Sequence, residues 1–112
     1  MGTFMVVDYR AYTFKPGTVP IFLDLFERIG LPVQNRVLGR DAFIGIYRTE
    51  IGNVNEVIHL WRYADAQERA TKRALLYQDA EFMDYVTKVR EMITHQHVRL
   101  LLPADFNPRI GD

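Results

Sequence analysis

Two short β-prone runs carry reactive side chains at alternate positions. Arg10 and Tyr12 fall in the first, and His59, Trp61 and Tyr63 in the second. Side chains two apart on a strand share a face. Asp8, Arg10, Tyr12 and Phe14 therefore look one way, as do Val57, His59, Trp61 and Tyr63. If the two strands are neighbours and these faces agree, Arg10, Tyr12, His59, Trp61 and Tyr63 converge. Arg10 could then grip a carboxylate bidentately, and His59 could move a proton near neutral pH. Tyr12 would donate a hydrogen bond, while Trp61 and Tyr63 would bind, the indole walling a flat molecule. As an enzyme, the chain would use His59 as base, Arg10 as anion anchor and Tyr12 as donor. The same residue types also build dimer-interface networks, and a buried network needs partners in either case.

Further candidates flank this group. Glu50 and Asn55 bracket a turn, where they serve backbone bonding or line the mouth of a pocket or a subunit contact. Arg69, Lys72 and Arg73 make a basic helix face. That face is either solvated, with Glu68 and Lys72 as an i,i+4 pair, or Arg69 and Arg73 reach over the sheet to an anion or to Glu50. His95 and His97 point the same way from one strand. They could ligate a metal, but no cysteine exists and no nearby carboxylate completes a set, so no metal and no cofactor are expected. Tyr77, Tyr85 and the methionines of the later helices read as packing groups. No nucleophile elbow, phosphate loop or dinucleotide fingerprint is present.

The elements that must position these residues follow from pattern. Met5 to Phe14 reads as a strand, ended by Lys15-Pro16-Gly17. Thr18 caps a helix whose stripe is Val19, Phe22, Leu23 and Phe26, and Gly30 and Pro32 end it. Strands are expected over Ala42 to Glu50 and Val54 to Tyr63, joined through Gly52-Asn53. Asp65 and Glu68 form a capping box for the next helix. Asp79 caps a further segment with the stripe Phe82, Val86, Val89 and Ile93. His95 to Leu102 is a last strand, stopped by Pro103. The order β-α-β-β-α-β is ferredoxin-like, an α+β protomer with a four-stranded antiparallel sheet and helices on one face. Right-handed crossovers place the first and third strands in the middle. The uncovered face is apolar enough to need a partner, and a second copy is expected to supply it, giving a homodimer.

Length and charge limit the classes. The chain of 112 residues suits one domain, with a core over about 5–103 and a tail over 104–112. Lys plus Arg balances Asp plus Glu at 14 each, which argues against nucleic acid and gives little attraction to anionic membranes. Cysteine is absent, which excludes disulfides and thiolate chemistry and fits a reducing compartment. No apolar run approaches a membrane span, and the N-terminus lacks a signal-peptide pattern. Gly2 raises myristoylation, but Val6 stands where Ser or Thr is required. The expected location is cytoplasmic.

Several short patterns carry a family resemblance. Arg10-x-Tyr12 precedes Lys15-Pro16-Gly17. Then come Thr49-Glu50-Ile51-Gly52 and the more specific Asn55-x-Val57-x-His59-Leu60-Trp61-x-Tyr63, with Arg69 and Arg73 on the next helix. Over about Val6 to Pro103 the chain resembles the NIPSNAP family of the dimeric α+β barrel superfamily. It departs at Ala80, where relatives often carry Pro, and at Phe82, where Trp is frequent. The resemblance implies a dimeric barrel of unknown biochemical activity, while the cluster of Arg10, Tyr12, His59, Trp61 and Tyr63 points to a pocket for a small organic molecule. It leaves open a cofactor-free monooxygenase or isomerase, or a non-catalytic assembly module, because fold does not choose among these.

Overall fold

The computed structural model describes residues 5–108. Residues 1–4, including the Gly2 weighed for myristoylation, and residues 109–112 of the tail lie outside the described residues.

Strands β1 (Val6–Phe14), β2 (Phe43–Arg48), β3 (Glu56–Tyr63) and β4 (Ile93–Leu101) form one antiparallel sheet in the order β2-β3-β1-β4. The first and third strands are central, as the crossover rule requires. Their register sets Arg10 opposite His59, Asp8 opposite Trp61 and Val6 opposite Tyr63. Opposed residues on paired strands share a face, so the two polar runs project to the same side. Strand β3 alternates half-buried and buried along its whole length, with Val57, His59, Trp61 and Tyr63 buried. Those four point at the helices.

The helical layer differs from expectation at its start. Gly30 and Pro32 do not end the first helical segment. Helix α1 (Val19–Leu25) passes through a π-turn, Phe26–Gly30, directly into α2 (Leu31–Leu38). Pro32 has no N–H to give to the previous turn, and its ring would collide with a carbonyl there. The wider turn relieves this, with the Leu31 N–H bonding back to the Phe26 carbonyl five residues earlier. Gly30 serves close approach: a Cβ there would lie 2.5 Å from Cζ of Tyr85.

Helices α3 (Ala66–Tyr77) and α4 (Ala80–Arg90) start where the caps place them. Asp65 accepts from the Glu68 N–H at 2.8 Å, and the Glu68 carboxylate accepts from the Ala64 N–H, one residue before the expected cap position. Asp79 accepts from the Phe82 N–H at 3.0 Å. Arg36 of α2 pairs with Asp79 at 2.8 Å, tying α2 to the start of α4. Ile93, expected on the last helical stripe, begins β4 instead.

Phe14, Phe22, Phe26, Val57, Trp61 and Leu76 belong to one core between sheet and helices. The other sheet face carries Tyr9, Ile58 and Leu60 with no helix over it, and Tyr47 is 56% exposed. Strand β4 is exposed after its first residue, with Val98, Leu100 and Leu101 each about 40% accessible.

Candidate functional site

The site is built from Asp8 outward. Asp8 is fully buried, and its two carboxylate oxygens are taken by two different arginines. Arg10 Nε lies 2.9 Å from one, and Arg69 Nε reaches down from α3 to 2.7 Å from the other. Arg10 also donates from Nη1 to the Tyr12 hydroxyl at 2.9 Å. Burial works against the Arg10 charge, and Tyr12 and Asp8 more than offset it. A carboxylate with charge-assisted partners on both oxygens fixes the guanidinium plane of Arg10.

His59 sits across the strand pair from Arg10. The Trp61 indole N–H donates to its Nδ1 at 2.7 Å. With Nδ1 accepting, the proton of the neutral ring resides on Nε2. Among the described residues, buried Nε2 has no hydrogen-bond partner. The ring is held edge-on by Tyr12, with centroids 4.8 Å apart, and Phe26 lies 5.9 Å away. Burial, then the charges of Arg10 and Arg73, push the imidazolium pKa down to about 3. His59 is therefore neutral at physiological pH and a poor base. Burial and the two arginines work against proton uptake near neutrality, and the group offered to the cavity is a buried N–H donor.

A cavity of about 250 Å³ opens between sheet and helices beside this group. Its polar wall includes Arg10, Tyr12, Gln34, His59, Arg73 and Arg90. The apolar wall includes Phe22, Phe26, Phe82, Val86, Val89 and Ile93. Gln34 is braced by donating to the Gly30 carbonyl at 3.0 Å. Arg73 donates to the Tyr77 hydroxyl at 2.6 Å and lies over the Tyr77 ring. Tyr85 and Tyr77 also line the space, so they are more than packing groups. Burial pushes the Tyr85 phenol pKa up, which keeps it a hydrogen-bond donor.

The expected residues thus divide. Arg10, Tyr12, His59 and Arg73 meet at the cavity. Trp61 stands behind His59, fully buried against Phe43, and orients the imidazole instead of walling the space. Tyr63 lines a separate shallow depression with Glu68 and Lys72. Burial raises its phenol pKa, opposed by Arg73. Arg69 does not reach Glu50; Asp8 holds it. Glu50 is exposed in the β2–β3 connection and does not line the cavity. Asn55, in the same connection, receives the Phe14 N–H on its backbone carbonyl at 2.8 Å, the turn role of the two alternatives. Lys72 pairs with Glu68 at 3.8 Å and caps α2 by donating to the Leu38 carbonyl.

The sequence pattern assigns no site role to Gln34 or Arg90, and it places Tyr85 among packing groups. Gln34 was hidden by the presumed helix stop at Gly30-Pro32. Had the helix been run through that point, Gln34 would have fallen one turn from Gly30 on the buried side. On β4, His97 accepts from Arg99 Nε at 2.7 Å. Among the described residues, no group of three His, Cys, Asp or Glu side chains is arranged to hold a metal ion.

The NIPSNAP family's sequence profile matches residues 7–108. A NIPSNAP-family crystal structure from Agrobacterium tumefaciens superposes with a TM-score of 0.90 at 32% identity, covering 96% of this chain and 92% of that one. An uncharacterized NIPSNAP-like domain protein from Burkholderia xenovorans superposes equally well at 35% identity, over 97% and 93%. Human NipSnap homolog 3B is 31% identical over 103 residues, which are 92% of this chain but 41% of that protein. The chain thus spans about two-fifths of that relative's length. A putative antibiotic biosynthesis monooxygenase from Nitrosomonas europaea shares the fold at a TM-score of 0.66 with 8% identity.

Proposed function

The chain belongs to the NIPSNAP family, and on that footing we propose that it binds a small organic molecule in the cavity between sheet and helices, as a homodimer in the cytoplasm. One observation carries the binding reading: the His59 Nε2 is buried and unpartnered in the wall of that cavity. An unsatisfied buried donor costs about 1–3 kcal/mol, and a ligand oxygen would recover it. The neighbouring aromatic and aliphatic walls suit an apolar body. Reading the protein as an assembly module alone predicts instead that partner side chains fill the cluster in the dimer. A catalytic reading has less support, because the cavity wall holds no carboxylate and its one imidazole is a poor base.

A second copy of this chain is the proposed cover for the uncovered sheet face. That face carries Tyr9, Ile58 and Leu60, with Leu101 of β4 opposite Val7 at its edge. An identical sheet offers a self-complementary apolar surface. The absence of cysteine suits a reducing compartment.

Trp61 is the only tryptophan and touches the cavity through His59, so its fluorescence reports occupancy. A panel of small aromatic and aliphatic compounds should contain members that shift it saturably. Val86→Phe, which fills the cavity, should abolish those shifts while leaving the circular dichroism spectrum intact. Equal responses from the filled variant, or none from any compound, would sink the proposal.

A further inference from the structure

The charges around the cavity are one-sided. Three guanidiniums, Arg10, Arg73 and Arg90, line it, and no carboxylate does. Asp8, the nearest buried acid, is shared between Arg10 and Arg69, so it neutralises neither completely. Among the described residues, Arg73 meets the hydroxyl and ring of Tyr77 and acts on the Tyr63 phenol, and it has no ion pair with an acid. The remaining polar groups on the wall that are fixed in role, His59 Nε2–H and the Tyr85 hydroxyl, are donors. Opposite them stand Phe22, Phe26, Phe82 and Val89. A cationic, donor-rich wall facing an aromatic one in a low-dielectric space selects negative charge joined to an apolar body.

We propose that the cavity takes a small organic monoanion with an aromatic or apolar body, its carboxylate facing Arg73 and Arg90 and a further oxygen accepting from His59 Nε2–H. This rests on the reading of the cavity as a binding site and adds the ligand's charge class to it. The volume of about 250 Å³ lies just under the range of drug-sized pockets, about 300 Å³ and more, so a single-ring acid fits the space. Exchanging Tyr77 for a carboxylate would give Arg73 a charged partner in place of a neutral, exposed one.

Benzoylformate and its neutral amide, benzoylformamide, separate the two levels of the proposal. They match in shape and share a ketone, and they differ in charge. In calorimetric titrations of the purified protein, the acid should bind at least about tenfold more tightly than the amide, as expected for a charge-assisted contact. Arg73→Met, which keeps the aliphatic stem, should bring the two within about twofold. Arg90→Gln, at an exposed position, should reduce the preference if Arg73→Met fails to fold. Amide binding equal to the acid would overturn the anion assignment and leave the cavity reading standing. Neither compound binding also overturns it. Neutral members of the fluorescence panel would then decide whether the cavity binds anything.

Discussion

His59 shows how two neighbours settle the role of one side chain. The Trp61 N–H takes its Nδ1, and burial beside Arg10 and Arg73 removes its charge. The depressed pKa has a consequence for stability. Between its ordinary value near 6.5 and the folded value of about 3, the unfolded chain binds a proton that the folded imidazole refuses. Stability therefore falls as pH drops through that window, with a slope approaching about 1.4 kcal/mol per pH unit. Above pH 6.5 His59 contributes no slope. His59→Asn can keep an acceptor for Trp61 and removes the titration. Urea denaturation across pH 4 to 7 should show a shallower loss of stability in that variant than in the parent. Parallel profiles would show that His59 is not the buried neutral group described.

At the scale of elements, the π-turn between α1 and α2 shapes the cavity. It lets one continuous helical segment carry Phe22, Phe26 and Gln34 to the same space, and it brings Gly30 against Tyr85. Gly30→Ala should therefore be destabilising despite the better helix propensity of Ala, worth about 1 kcal/mol. Overpacking against a buried ring costs about 1–3 kcal/mol, and the Tyr85 side chain would be driven toward the cavity. Thermal melts should show a lower midpoint, and ligand shifts of Trp61 fluorescence should weaken. A more stable variant with full binding would mean that the contact is loose.

The same segment marks where sequence reading stops. Strand alternation was enough to align Arg10 and Tyr12 with His59, because a period of two admits only two faces and the apolar neighbours choose one. Caps at Asp65 and Asp79 were legible because a short acceptor at the first turn has a local purpose. The passage through Pro32 was not, since the relief it needs depends on a turn type with no sequence signature of its own. The division of labour between Arg69 and Arg73 was equally hidden. One turn apart on α3, both reach toward the sheet, and only the position of Asp8 on a distant strand draws Arg69 inward and leaves Arg73 at the cavity.

For the whole molecule, the proposal assigns an occupant to two surfaces: the cavity on the helix side of the sheet and the apolar face on the other. Both belong to one proposal, in which two sheets close on each other and each protomer keeps its own cavity. Leu60 lies near the middle of the uncovered face, opposite Tyr9 on β1 and Gly45 on β2. Burying such a face against a second copy removes from water the groups that would otherwise make an isolated protomer prone to aggregate.

Native mass spectrometry tests the two halves together. The protein and its Val86→Phe variant would be sprayed after incubation with the compounds that shift Trp61 fluorescence. The account predicts a complex of two chains carrying added small-molecule mass, and a Val86→Phe complex of the same size carrying none. Single chains, a bare complex of the parent protein, or equal added mass on the filled variant would contradict it.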